Sequence, residues 1–286
     1  GRPFTDGLLP LFEIFCHYVK IYAKRGTRES AAAFAPLLLE LVENGRFLKP
    51  ATVTERAKNV NLPMNGHFNF CKITFGNTEN TPLNRLAEEV SALMSSRCIA
   101  YSNWLVVFNV YTDQKSLEGE CADKLSRLEP LLKKYSAFCG VSNSFHSLLQ
   151  VQTACEQADI ALKYGRKQSA RRSSGFFFFR DWYSYFLLDC CMEHNPDLLM
   201  LDDTYRALKV LKSYDASHKS TYLRLLSVYL GNDKRTSPTA AAMHMTRNNV
   251  AYHLKRIFDL TGLDLDAPGQ TLNLMLAFRL LELCGE

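Results

Sequence analysis

A run of side chains near the C-terminus has the composition of a surface that binds nucleic acid. Residues 246–256 read Thr-Arg-Asn-Asn-Val-Ala-Tyr-His-Leu-Lys-Arg, which places amides, a phenol and three cations close together. Amide and guanidinium groups form paired hydrogen bonds with base edges, and cationic groups hold phosphates. We therefore take eight residues as candidate DNA contacts: Thr246, Arg247, Asn248, Asn249, Tyr252, His253, Lys255 and Arg256.

Helical periodicity separates the apolar side chains of this run from the polar ones. At roughly 100° per residue, Val250, Leu254 and Ile257 share one face of a helix, and that face must pack on preceding helices. The opposite face, here called the polar face, consists of Asn248, Asn249, Tyr252, Lys255 and Arg256. His253 flanks this polar face.

The neighbouring sequence predicts the helices that must position this one. An apolar-faced helix over Tyr222–Leu230 is followed by Gly231-Asn232, and a short helix is expected to begin at Ser237-Pro238, because serine caps helices and proline suits the first turn. Thr246 is a second capping residue, and it opens a longer helix over Thr246–Leu260 that Gly262 ends. A short helix, a tight turn and a longer basic helix form a helix-turn-helix pattern.

Charge is concentrated in the same region. The segment from His218 to Gly262 has seven basic and two acidic residues, so its net charge of +5 equals that of the whole chain. Many surface helices of soluble proteins are polar and basic without binding DNA. The combination of two successive helices, a turn and a basic outer face favours DNA binding over that ordinary interpretation.

The C-terminal segment resembles the helix-turn-helix domain of the PucR family of bacterial regulators, which includes the sugar-diacid regulators. The residues that match the family pattern are Tyr229-Leu230, Ala241, Arg247-Asn248, Tyr252, Leu254, Arg256-Ile257 and Leu260-Thr261-Gly262. The sequence departs from the pattern on or beside the polar face. The family pattern has His-Arg-Asn-Thr at the positions of Thr246-Arg247-Asn248-Asn249, and it has Tyr-Arg-Leu at the positions of Tyr252-His253-Leu254. These departures bear on the preferred DNA sequence and leave the fold unchanged.

The middle of the chain alternates short apolar runs with amphipathic segments. The predicted strands are Phe68–Phe75, Cys98–Tyr101, Trp104–Val110, Ser136–Val141 and Phe176–Phe179. The predicted helices are one that Thr81-Pro82 opens and that extends to Met94, and those over Leu117–Tyr135 and Leu148–Tyr164. The resulting order, βαββαβαβ, predicts one mixed sheet with helices packed on it. Gly165–Gly175 is a basic loop, interpreted as solvated surface, with phosphate contact as the alternative.

This middle region resembles the GGDEF-like domain, a relative of nucleotide cyclases, that precedes the DNA-binding domain in the PucR family. The resemblance rests on Gly140-Val141-Ser142 and on the Ala-rich run Gln157–Leu162. True diguanylate cyclases place glycines and paired acids at the hairpin, whereas Tyr101–Trp104 has neither, and Thr74–Gly76 lacks the expected aspartate. Without carboxylates a hard divalent cation lacks ligands, so we expect a catalytically inactive domain.

These observations predict an α+β chain in four segments. Residues 1–62 are N-terminal helices including Leu8–Lys24 and Glu29–Asn44, residues 63–180 the mixed α/β GGDEF-like domain, residues 181–217 connecting helices, and residues 218–286 the all-α helix-turn-helix domain. The connecting helices are Trp182–Glu193 and Asp203–Ser213, and the polar stretch Tyr214–Lys219 is a predicted domain boundary. The scattered cysteines and histidines lack metal-site spacing, so we expect reduced thiols, no metal and no cofactor.

The predicted function is a cytoplasmic, sequence-specific transcription regulator without enzymatic activity. We expect it to bind double-stranded DNA as a homodimer, to contact RNA polymerase and to respond to a small molecule sensed upstream of this chain, with no membrane association. Two alternatives stay open at this point. One is a small-molecule-sensing or dimerisation module with weak DNA binding, and the other is an active diguanylate cyclase.

Overall fold

The structure is a computed structural model that describes residues 34–76, 82–168 and 175–285. The chain divides into two compact units, Gly1–Asp181 and Trp182–Glu286. The predicted helix Leu8–Lys24 and the first residues of Glu29–Asn44 lie outside the described ranges. Within those ranges, none of the helices has the length and apolar character needed to span a membrane.

The first unit is a mixed sheet with helices on both faces. Its described elements are α1 (residues 34–44), α2 (Pro50–Asn59), β1 (Asn65–Phe75), α3 (Leu83–Met94), β2 (Arg97–Tyr101), β3 (Trp104–Tyr111), α4 (Gln114–Lys134), β4 (Ala137–Val141), β5 (Phe145–Ser147), α5 (Val151–Gln168) and β6 (Gly175–Phe178). The strand order is β2-β3-β1-β4-β6, and β5 pairs with β1 outside this path. β1 is antiparallel to β3 and β4, whereas β4 is parallel to β6.

Side chains alternate along the central strand and build a separate core on each face of the sheet. Phe68 and Phe70 of β1 pack with residues of α1, α2 and α5. Cys71, Ile73 and Phe75 point to the other face and pack with α3 and α4. This alternation is the period of two that a strand imposes, and it buries β1 on both sides.

The mixed α/β sheet domain expected from the sequence is confirmed. The path β1-α3-β2-β3-α4-β4 is a ferredoxin-like βαββαβ unit, and α5 then crosses to the parallel strand β6. β5 was not predicted, since three residues are too few to establish a period. Phe145 is its buried residue, and it packs in the core next to Phe68.

Two glycines allow α5 to lie close to the sheet. An added Cβ on Gly140 would lie 2.2 Å from the Ala158 carbonyl oxygen, and one on Gly165 would lie 2.2 Å from Cγ of Phe177. The loop predicted from Gly165 is therefore wrong at its start. The helix continues to Gln168, because Gly165 serves close packing there and does not end the helix.

The second unit is all helical. Helix α6 (Phe179–His194) begins in the last residues of the first unit and belongs to the second unit from Trp182. The other elements of the second unit are α7 (Pro196–Met200), α8 (Asp203–His218), α9 (Tyr222–Gly231), α10 (Thr236–Ala242), α11 (Arg247–Thr261) and α12 (Gln270–Leu283). One core joins residues of α6 and α8–α12. The all-helical C-terminal region is thereby confirmed.

The polar stretch predicted as a boundary is the end of α8. Tyr214 stacks on His218 one turn later, with ring centroids 4.0 Å apart, and Lys219 ends the helix with a left-handed φ of 53°. Polarity in this stretch therefore marks an exposed helix end and not a linker.

Substitution of Gly140 tests the close approach of α5 to β4. Gly140→Ala should destabilise the chain by about 1–3 kcal/mol, because the new methyl group overlaps backbone of α5. Gly119→Ala on α4 is the matched control, since its Cβ would meet nothing within 4 Å. The control should gain about 0.5–1 kcal/mol of helix stability. Urea unfolding measures both, and equal midpoints for the two variants would contradict this packing.

Candidate nucleic-acid interface

The helix that holds the candidate DNA contacts has well-defined ends. The Thr246 hydroxyl accepts a hydrogen bond from the Asn249 backbone N–H at 3.2 Å, so the predicted cap is confirmed. Gly262 follows the last turn with a φ of 70°, and its N–H donates to the Phe258 carbonyl at 2.8 Å. Glycine adopts this left-handed conformation without a steric penalty.

The turn before α11 is tight and is closed by backbone hydrogen bonds. His244 has a φ of 54°. Its N–H donates to the Ala241 carbonyl at 3.3 Å, and the Met245 N–H donates to the Ala240 carbonyl at 2.9 Å. This pair of bonds is a Schellman motif, which ends α10 and redirects the chain into α11.

The expected start of α10 at Ser237-Pro238 is wrong by two residues. α10 begins at Thr236 with Arg235 as its N-cap, and this cap makes no side-chain hydrogen bond. Proline is tolerated in the first turn because amides there have no partner within the helix. The hydroxyl of the buried Thr239 donates to the Arg235 carbonyl at 2.7 Å and helps to fix this first turn.

The predicted division of α11 into two faces is confirmed. Val250, Leu254 and Ile257 are at most 5% exposed and lie in the helical core. Every residue of the polar face is exposed, and so are Thr246 and Arg247. Tyr252 is 69% exposed, a high value for so large an aromatic side chain.

The electrostatics of the segment favour an anionic partner. All seven basic residues between positions 218 and 262 are exposed: Lys219, Arg224, Lys234, Arg235, Arg247, Lys255 and Arg256. Arg235 lies 3.5 Å from Asp233, and the Lys234 ammonium donates to the Leu265 carbonyl. Arg247, Lys255 and Arg256 form no ion pair with any other residue of the described ranges, so these cations remain free to contact phosphates.

His253 differs from the other candidate contacts in its surroundings. It is half-buried, and its Nδ1 is enclosed without a hydrogen-bond partner among the described residues. Its ring centroid lies 5.5 Å from that of Tyr222 on α9 and 5.4 Å from that of Tyr252. The sequence contains the signal for this placement, because position 253 lies only about 60° around the helix from Val250.

The cysteines and the other histidines of the described residues lie outside the polar face. The described cysteines are free thiols, and burial, with Asp159 nearby, raises the pKa of Cys155 to about 12. The fold brings His67 and His146 together with ring centroids 5.0 Å apart, a pair that their sequence positions do not indicate. Across the described ranges, no group of three or more His, Cys, Asp or Glu side chains is arranged to hold a metal ion.

The helical segment from α9 into α12 matches a known domain. Residues 222–280 match the family model of the PucR C-terminal helix-turn-helix domain. The chain carries a PucR-type helix-turn-helix domain. The matched residues include α9, α10 and α11 in full, and thus every candidate contact of the polar face.

Two curated relatives of the chain are bacterial regulators. The proline-responsive transcriptional activator PutR of Bacillus subtilis (strain 168) is 19% identical over 267 residues, which are 89% of this chain and 64% of the relative. The purine catabolism regulatory protein of the same organism is 30% identical over 151 residues, 49% of this chain and 25% of the relative. The chain thus spans less than two thirds of either relative. It is similar to both regulators over the lengths given.

One solved structure aligns with most of the chain at low similarity. The regulator of polyketide synthase expression from Bifidobacterium adolescentis is 14% identical, with 90% of this chain and 93% of that chain covered. The TM-score is 0.35, which is too low to indicate a shared overall arrangement.

Loss of the Thr246 hydroxyl tests the cap of the PucR-type α11. Thr246→Ala should lower the free energy of unfolding by about 1 kcal/mol, because the Asn249 N–H loses its acceptor. Thr246→Ser keeps a hydroxyl and should stay close to wild type. Thermal or urea unfolding of the two variants measures the difference. If Thr246→Ala is as stable as Thr246→Ser, the cap does not stabilise α11.

Proposed function

We propose that the chain is a DNA-binding transcription regulator of the PucR type, which contacts duplex DNA through the exposed polar face of α11. The observation that carries the proposal is the second helix of a helix-turn-helix whose apolar face is buried and whose amides and cations are exposed. In helix-turn-helix proteins this helix lies in the major groove. The match of residues 222–280 and the regulators among the relatives support the proposal independently.

The position of each contact along α11 suggests its role. Asn248 and Asn249 lie in the first turn, where a recognition helix meets base edges, and an amide pairs in a bidentate way with adenine. Lys255 and Arg256 lie farther along, where we assign them to phosphates, and Thr246, Arg247 and Tyr252 border the base-contacting turn. His253 is assigned to the support of this surface, since it is half-buried.

The partners proposed for the chain follow from this mode of binding. Two-fold operators are bound by dimers, so we propose a homodimer, with RNA polymerase as a further contact in the cytoplasm. The regulator is proposed to respond to a small molecule. Residues 218–286 would form the DNA-binding domain, residues 181–217 the helices that connect it to the sheet domain, and residues 1–62 the helical segment that precedes the sheet.

We infer that residues 63–180 form a GGDEF-like domain without cyclase activity. The βαββαβ order of the sheet supports the relationship, and the hairpin between β2 and β3 argues against catalysis. At that hairpin the Tyr101 and Trp104 rings meet edge to face at 5.3 Å, and the Tyr101 hydroxyl donates to Glu43 of α1. The nearby Asp159 carboxylate lies 2.6 Å from the Lys72 ammonium, which satisfies it without a metal ion.

A pair of substitutions separates base contact from phosphate contact. Asn248→Ala should reduce the preference for a selected duplex over a scrambled one by an amount of about 1–3 kcal/mol, the size of a lost bidentate pair. Lys255→Ala should weaken binding to both duplexes equally and reduce the salt dependence. Titrations of both duplexes with each variant, at two salt concentrations, measure the two effects.

The comparison requires variants that fold normally, which an unchanged thermal melt establishes. Both side chains are exposed, so neither substitution opens the core. If Asn248→Ala keeps the full specificity ratio, Asn248 does not contact bases, and the proposed orientation of α11 on DNA is wrong.

Incubation with GTP and magnesium tests the inactive sheet domain. We expect no synthesis of a cyclic dinucleotide from GTP, because the hairpin offers no carboxylate to a divalent cation. Chromatography of the reaction against an enzyme-free control measures the product. Product that accumulates above this control would overturn the assignment of an inactive domain.

A further inference from the structure

A row of aromatic rings connects the end of α8 to the polar face of α11. Tyr214 stacks between His218 and Tyr222, with centroid distances of 4.0 and 5.4 Å and interplanar angles of 10° and 9°. Tyr222 then packs on His253, and His253 packs on Tyr252. We call these five residues the aromatic stack. It runs through three helices and ends on an exposed candidate DNA contact.

The inner end of the aromatic stack is fixed by hydrogen bonds. The Asp215 carboxylate on α8 accepts from the backbone N–H groups of Tyr222 and Leu223, each at 2.9 Å, and from the Ser220 hydroxyl at 2.5 Å. Thr221, the N-cap residue of α9, makes no side-chain cap bond of its own. α9 is therefore capped by a side chain of the preceding helix, which ties the position of Tyr222 to that of α8.

The outer end of the aromatic stack lies beside the polar face. Burial raises the pKa of Tyr222, and the proximity of Tyr214 and Tyr252 raises it further, while Arg256 opposes the rise. The Tyr222 ring centroid lies 5.5 Å from that of His253, which in turn lies 5.4 Å from that of Tyr252. The His253 ring therefore restricts the rotamers of Tyr252, which is otherwise 69% exposed.

We propose that Tyr222 is a positioning residue for DNA recognition, which holds His253 and through it Tyr252 in the orientation that discriminates between DNA sequences. The inference rests on the proposed function. Discrimination depends on side chains held within a narrow range of geometry, whereas attraction between cations and phosphates tolerates motion. Because Asp215 and Tyr214 fix Tyr222, a displacement of α8 would reach the polar face through the same rings.

The test compares three variants of the full chain on two duplexes. The probes are a duplex enriched from a random-sequence library by the wild-type chain and a scrambled duplex of equal composition. Tyr222→Leu should reduce the ratio of the two affinities about fivefold or more, with the salt dependence unchanged. Tyr222→Phe keeps the ring and should restore the wild-type ratio.

Tyr229→Leu is the matched control. It makes the same substitution in the same helix two turns later, where the ring is half-buried but does not belong to the aromatic stack. It should therefore leave the ratio unchanged despite a comparable loss of packing. If Tyr222→Leu does not fold, Tyr214→Leu, which removes the preceding ring of the stack, takes its place with the same expected result.

Several outcomes would overturn the inference. One is an affinity ratio that Tyr222→Leu leaves unchanged. Another is a reduction of the ratio in Tyr229→Leu equal to that in Tyr222→Leu, and a third is an equally large reduction in Tyr222→Phe. If the wild-type chain enriches a duplex and Tyr222→Leu keeps the wild-type affinity ratio, this inference is wrong but the proposed function stands. A wild-type chain that enriches no sequence overturns the proposed function, and this inference with it.

Discussion

The withdrawal of Val250, Leu254 and Ile257 from water fixes the orientation of α11, and the candidate interface depends on that orientation. Burial of each such side chain contributes about 1.5–3 kcal/mol, so rotating the helix to expose them would cost several times the energy of any single polar contact. The opposite face must then meet solvent or a partner. Amides, a phenol and cations occupy that face, and three of the cations near it are unpaired within the described residues.

The supports of α11 come from elements on both sides of it in the chain. The Schellman turn at His244 and the cap at Thr246 set where the helix begins, and Gly262 sets where it ends. α8, α9 and α12 supply the core on which it lies. The sheet unit is built by a different constraint, the close approach of α5 to β4 that Gly140 permits. Each unit therefore has its own core and its own determinants of stability.

Much of this architecture could be predicted because it is periodic or local. The period of α11 identified its buried and exposed faces, and the cap at Thr246 is a local signal. Short or long-range features were missed. The three residues of β5 are too few to show a period. The role of Gly165 on α5 depends on the Phe177 ring of β6, and the aromatic stack joins residues from three helices. The predicted start of α10 at Ser237-Pro238 was wrong because the helix begins earlier, at Thr236, where the buried Thr239 donates to the Arg235 carbonyl.

The measurement that tests the central claim most directly is duplex DNA binding by the full chain as salt concentration rises. We expect the affinity for DNA to fall as the salt concentration rises. Each phosphate contact contributes about −0.9 to the slope of log affinity against log salt concentration, so replacing Arg247, Lys255 and Arg256 together by alanine should make this slope much shallower. Replacement of the exposed Lys49, Lys58 and Lys133 of the sheet unit removes the same charge and should preserve the slope. Absence of binding at low salt, or an equal loss of slope in both triple variants, would contradict the account.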